Sequence, residues 1–291
     1  MKKTSKGLLL VIISGITFGL MPGAVKFCIS QGATKELMAF MRCFFMILVL
    51  LPSALKNKNT FSIYRDNFFK LLLLSAAGAA TPLLLYSAYA YLDTGLVTTV
   101  HFMFPAVVAV LSFFILKEKL SKRKLLCLAL CIAGIVLILN VKDGEVSLKG
   151  LLIAFVSSVT WSFYIVLLKK FEIKGASSEQ IAFYYAIDGT VLTALYIAFA
   201  GGLPTEITPV GVGAVALFNL LIATCGSLFF ILGVRMTDAQ TAAIASTLEP
   251  ITSIAAGLLF LGETISVRTG IGCALILAAV ILLAAGAGKE K

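Results

Sequence analysis

A chain of 291 residues in which 60% of side chains are hydrophobic and 13% are charged, with a mean hydropathy of +1.04, lies far from the soluble balance of about one charged residue in four. That composition excludes a soluble enzyme or binding module and defines an integral membrane protein. The net charge of +10 follows the loops of such a protein, so it gives no support to nucleic-acid binding.

Apolar runs follow one another with short polar breaks, and ten are long enough for a helix to cross a hydrocarbon core of about 30 Å. In the first half the spans run over roughly 7–29, 34–52, 68–90, 95–115 and 123–140. In the second half they run over roughly 149–168, 179–199, 211–233, 239–260 and 267–286. The runs are continuously apolar, which predicts helices rather than the alternating strands of a barrel. Tight turns around Asp93 and Asp238 are expected between spans 3 and 4 and between spans 8 and 9. The longest polar stretch, Ser53 to Asn67, is too short to fold as a catalytic domain. The opening "MKKTSK" resembles the start of a signal peptide, yet the run after it contains Pro22 and Lys26 and ends without a small-x-small cleavage site, so span 1 is expected to be retained.

The second half repeats the first. Pro105 and Glu118 in "FPAVVAVLSFFILKE" recur 145 positions later as Pro250 and Glu263 in "EPITSIAAGLLFLGE". "KGLLLVIISGITF" from Lys6 recurs at an offset of 143 as "KGLLIAFVSSVTW" from Lys149. The expected organisation is two five-helix repeats, 1–145 and 146–291, and an odd-numbered unit places its second copy upside down in the membrane. Charge agrees with that inversion. With the N-terminus inside, 18 basic residues fall on the cytoplasmic side and five on the other, with Arg42 alone inside a span. The positive-inside rule therefore puts both termini in the cytoplasm of a multi-pass cell-membrane protein.

Six cysteines lie in or at the ends of spans without a CxxC pair, and the single histidine is in another span from Cys127 and Cys131. They read as packing thiols, and no metal or cofactor is expected. Span 1 carries Gly15, Gly19 and Gly23 at spacings of four, which favours close helix packing within the chain over dimerisation. The expected state is a monomer or a weak homodimer.

Ten spans in two inverted halves, with the proline-to-glutamate segment present twice, resemble the EamA-type branch of the drug/metabolite transporter superfamily. Departures are Lys117, where a glycine often precedes the glutamate, and Phe104, where the second copy has Glu249. The resemblance implies transport of a small organic metabolite, with amino acids or related compounds first and export ahead of uptake. The substrate stays open.

Polar groups inside spans reach transport independently, because an ionisable residue at a helix centre costs about 2.5–3.5 kcal/mol on insertion scales and usually faces a partner or a cavity. The candidates for binding substrate or protons are Arg42, His101, Asp188, Asn219 and Glu249. Glu249, immediately before Pro250, leads; its alternative is a structural ion pair with Arg42. Asp188 could carry a proton or pair with Arg42, while His101 could titrate or simply pack. Lys26 reads as an interface residue first and a gate second. Phe18 and Trp161, equivalent in the two repeats, join Tyr86, Tyr164 and Tyr185 as the aromatic lining of a cavity, against ordinary packing. Together these define an all-α secondary transporter working by alternating access, with proton antiport or uncoupled uniport of metabolites or nucleosides as the two forms of coupling. A channel would need a continuous polar pore, and an enzyme a nucleophile and base near the interface; neither pattern is present.

Overall fold

The computed structural model describes residues 3–56, 60–117, 122–139, 146–171, 173, 175–236 and 248–286. All regular structure among them is helical, as it must be where no water reaches the backbone. The first repeat forms α1 (Lys3–Ser30), α2 (Lys35–Lys56), α3 (Thr60–Asp66), α4 (Phe68–Ala88), α5 (Thr94–His101), α6 (Phe104–Ile115) and α7 (Lys122–Leu139). The second forms α8 (Leu148–Phe171), α9 (Ser178–Ala200), α10 (Pro209–Leu221), a π-helical segment (Ile222–Leu228), α11 (Phe229–Met236), α12 (Leu248–Phe260) and α13 (Val267–Gly286).

Helix occupies part of each of the ten expected stretches. Seven segments among the described residues have the length and hydropathy to cross a membrane, counting Thr94–Ile115 and Pro209–Gly233 as single segments. The other three contain shorter apolar helices, Leu125–Gly134, Leu248–Phe260 and Gly270–Ala279. Large apolar side chains cover the outside: Phe69, Phe199 and Phe260 are 82%, 89% and 77% exposed. Lipid is the solvent such a surface fits.

Two features depart from the sequence reading. The polar stretch 53–67 carries helix at both ends, since α2 continues to Lys56 and α3 spans Thr60–Asp66. Gln180 Nε2 donates to Thr60 Oγ1 at 3.0 Å and the Tyr184 hydroxyl donates to the Thr60 carbonyl at 2.7 Å, which fastens α3 to α9. The span expected over 95–115 is broken between α5 and α6. Pro105 has no N–H to offer the His101 carbonyl, and Met103 N–H bonds back to the Val100 carbonyl at 3.1 Å in a tighter turn. The turn at Asp238 and the side chain of Glu118 lie outside the described residues.

Packing runs mainly between the repeats. α1 lies on α11 and α12, α8 lies on α4, α5 and α6, α5 lies on α12, and the pairs α2–α9 and α7–α13 join equivalent elements. Exchanging the two repeats maps the packing of α1 on α11 and α12 onto that of α8 on α4 and α6. Glycine lets the closest pairs approach: a Cβ on Gly19 would stand 2.6 Å from the Glu249 carbonyl oxygen, and one on Gly95 would stand 2.8 Å from Ile254 Cα.

The repeats also share a turn. Gly262, after α12, has φ 63°, and its equivalent Lys117, after α6, has φ 57°. A left-handed conformation costs a non-glycine residue roughly 1–2 kcal/mol. Lys117→Gly should therefore stabilise the protein by about 1 kcal/mol, measured as a higher melting temperature in detergent with transport unchanged.

Candidate functional site

Arg42 stands where helices of both repeats converge. Its Nη1 donates to Met21 Sδ at 3.4 Å and to the Tyr86 hydroxyl at 3.5 Å, and its Cζ lies 5.5 Å from the centroid of the Phe18 ring. A thioether, a phenol and a ring face are soft partners for a guanidinium. Among the described residues no carboxylate lies within 4.0 Å of it. The structural Arg42–Glu249 ion pair is thus not formed, although the two groups are close enough to interact electrostatically. Glu249 sits in the first turn of α12 as described, with residues 237–247 outside the described part of that span.

Both side chains are half-buried. Tyr89 completes this cluster and was missed in the sequence. Its ring lies 6.2 Å from that of Tyr86 in a stacked arrangement. Its buried hydroxyl makes no hydrogen bond of ideal geometry among the described residues; Thr98 is its near polar neighbour, and it interacts with the charges of both Glu249 and Arg42. The site thus places a weakly held hydroxyl beside two ionisable groups.

One wall is aromatic. Tyr164 stacks on Trp161 with centroids 4.9 Å apart and meets Tyr185 edge-on at 5.5 Å. Tyr185 donates to the Gly78 carbonyl at 3.4 Å, and a Cβ on Gly78 would come within 2.5 Å of the Tyr185 ring. Glycine at that position admits the ring. Tyr185 in turn interacts with Arg42, which connects the wall to the cation.

His101 ends α5 at the helix break and is 7% exposed. The Ser157 hydroxyl donates to the Ala154 carbonyl at 2.6 Å and so receives the proton of His101 Nδ1 at 3.0 Å. That assignment leaves Nε2 as an acceptor. Ser162 donates to the Phe104 carbonyl at 3.0 Å, fixing the broken span to α8. Ser14, the repeat equivalent of Ser157, donates to the Gly226 carbonyl at 2.7 Å in the π-helical segment. These serines escaped the sequence reading; the signal was Ser157, Ser158 and Ser162 in an otherwise apolar span. Asn219, just before the π-helical segment, donates to the Val215 carbonyl at 2.8 Å, and its buried Oδ1 has no partner among the described residues.

Two candidates lie elsewhere. Asp188 neither joins the cluster nor pairs with Arg42; its Oδ1 accepts from the Tyr64 hydroxyl and its Oδ2 from Ser75 Oγ at 3.1 Å. α3, which the sequence reading took for loop, supplies Tyr64, and burial followed by the bond to Asp188 raises the Tyr64 phenol above its usual range. Lys26 Nζ donates to Glu263 Oε1 at 2.8 Å. Asp93 caps no N–H of α5 with its side chain. Burial first, and then the charge of Glu263, push its carboxyl above the usual range against the pull of Lys26. An apolar crevice of about 420 Å³ between α1, α10, the π-helical segment and α12 touches the cluster through Met21.

Convergent polar groups inside an interlocked bundle of apolar helices define a membrane transport protein. The model of the EamA-like transporter family matches this chain twice, over residues 5–140 and 148–285, and the chain belongs to that family, an EamA-type transporter of the drug/metabolite superfamily. It is similar to an uncharacterized transporter of Clostridium kluyveri, with 25% identity over 95% of this chain and 92% of that protein. It is also similar to an uncharacterized transporter of Archaeoglobus fulgidus, at 25% identity over 94% of each chain. Human solute carrier family 35 member G1 is 26% identical over 67% of this chain and 56% of its own length. One crystal structure superposes with a TM-score of 0.65 at 19% identity over 96% of both chains, a likeness of fold.

Asp188 should act on stability rather than on transport. Asp188→Asn is expected to keep transport within about twofold of the parent, whereas Asp188→Leu strands two donors at a cost of about 1–3 kcal/mol each. Thermal melts of the two purified variants, set beside transport rates, check this.

Proposed function

We propose that this protein is a ten-span, inverted-repeat carrier that moves a small organic metabolite across the cell membrane by alternating access, with both termini cytoplasmic and a binding site between repeats 1–145 and 146–291. Amino acids and related compounds come first as cargo, and export comes ahead of uptake. The observation that carries this reading is the cluster of Arg42, Glu249, Tyr86 and Tyr89, in which a cation and a carboxyl group lie close enough to interact without pairing. A zwitterion or a carboxylate would meet the donors of Arg42, while the aromatic wall of Trp161, Tyr164 and Tyr185 suits an apolar or ring-bearing side chain.

Glu249 is the proton site in this reading, with His101 as the second candidate. Uptake of radiolabelled amino acids and nucleosides into proteoliposomes, with and without a pH gradient, tests the proposal. The gradient should accelerate one class of cargo, and Glu249→Gln should remove that acceleration while leaving equilibration intact; a pH profile unchanged in Glu249→Gln would remove the proton role. Arg42→Gln should lower transport of carboxylate-bearing cargo about tenfold or more, as loss of a charge-assisted hydrogen bond of about 1.5–3 kcal/mol implies, and should spare analogues without the carboxylate.

Uncoupled uniport is the second reading. The engagement of Asp188 with Tyr64 and Ser75 favours it, because one acidic residue that could have carried a proton is already occupied. Equilibration indifferent to the gradient would select uniport.

A further inference from the structure

The glutamate that closes the repeated sequence motif has no part in the central cluster, yet it is the most heavily bonded carboxylate among the described residues. Glu263 Oε1 accepts from Lys26 Nζ at 2.8 Å. Both of its carboxylate oxygens lie 3.0 Å from the Thr94 backbone N–H, and Oε2 accepts from Thr94 Oγ1 at 2.8 Å. Its side chain is 6% exposed and that of Lys26 is 32% exposed. Three elements are joined by one residue: the end of α1 and the start of α5 from the first repeat, and the turn after α12 from the second.

The local structure is built around that carboxylate. Gly262, in the left-handed region, turns the chain so that the N–H groups of Leu261 and Glu263 both bond the Gly257 carbonyl, at 3.2 and 3.1 Å. A Cβ on Gly257 would stand 2.2 Å from Glu263 Oε2, so glycine there leaves room for the carboxylate. Asp93 occupies the N-cap position of α5 without a side-chain cap, and Glu263 does that work from the opposite repeat. Directly beneath, α5 and α12 meet through small and hydroxylated residues: Gly95 against Ile254, and Thr98 Oγ1 3.0 Å from Ser253 Oγ, with Thr98 and Ser253 almost fully buried.

We infer that Glu263, with Lys26 and Thr94, is a latch that holds α1, α5 and α12 together at one end of the bundle, and that it opens and closes in each transport cycle. This rests on the alternating-access reading of the same protein. Polar bonds suit the task better than apolar packing. Lys26 is part-exposed near the end of α1, so water can replace Glu263 as its partner and as the cap of α5 when the helices part. The hydroxyls of Thr98 and Ser253 and the missing side chain of Gly95 leave an interface that wets easily once separated. Sequence supplies a parallel, since the same two residue types recur at the repeat-equivalent positions Lys169 and Glu118.

The test uses the full chain in nanodiscs, where a bulky polar maleimide reaches both faces. Ser253→Cys, below the latch, is the reporter; native Cys131, fully buried in α7 away from it, reports global unfolding in the same sample. Glu263→Gln and Lys26→Met should raise the initial labelling rate of Cys at 253 at least fivefold over the parent without raising that of Cys131, and Lys26→Arg should restore the low rate. Should the obvious reporter perturb folding, Thr98→Cys replaces it. Labelling at 253 that stays constant, or that rises only in step with Cys131, overturns the latch and leaves Glu263 a static staple. A response in labelling with no solute transport in proteoliposomes would keep the latch and remove the carrier reading, whereas normal transport with constant labelling would do the reverse.

Discussion

A polar group inside an apolar bundle must find its partner within the protein, and here the bonds that tie one helix to another mostly join the two repeats. Thr60 holds Gln180 and Tyr184, Ser157 holds His101, Ser14 bonds the Gly226 carbonyl, Asp188 holds Tyr64 and Ser75, and Glu263 holds Lys26 and Thr94. Lipid offers nothing in exchange for these bonds, so each one fixes the register of two helices that apolar packing alone would leave free to slide. The alignment of α1 with the π-helical segment, of α3 and α4 with α9, and of α5 with both α8 and α12 follows from them.

Against that background the cluster around Arg42 is the exception. Arg42 rests on a sulfur, a phenol and a ring rather than on a carboxylate, with the weakly held hydroxyl of Tyr89 nearby. The π-helical segment beside Asn219 and the break after His101 belong to the same region, and both are irregularities that helices retain near functional positions more often than elsewhere.

Much of this was legible in the sequence, and the limits have physical causes. Span positions follow from hydropathy, and the repeat follows from fixed offsets, because both are properties of the chain in one dimension. The break of span 4 at Pro105 has a local cause, a missing N–H, although the hydropathy of the run carries straight through it. The pairing of Asp188 was not legible because its partner Tyr64 sits on α3, a seven-residue helix within a polar stretch, and no periodicity marks so short an element. Tyr89 was overlooked among eight tyrosines, because only the fold shows which hydroxyl stands beside Arg42 and Glu249. Lys26 was read as a snorkelling residue until Glu263, 237 positions away, came to its side. Pairings across such distances are set by helix packing, which a single sequence does not print.

The exchange symmetry of the helix pairs has a consequence for origin. Most close contacts join one repeat to the other, and equivalent elements meet as α2 with α9 and α7 with α13. A single repeat by itself would present raw, unfilled faces on nearly every helix. Two unlinked copies would fill them for each other through this same set of pairs. The architecture is that of a homodimer whose subunits have been fused, and fusion freed the two copies to diverge: Glu249 and Trp161 could arise opposite Phe104 and Phe18, giving an ancestral twofold pocket two unlike sides.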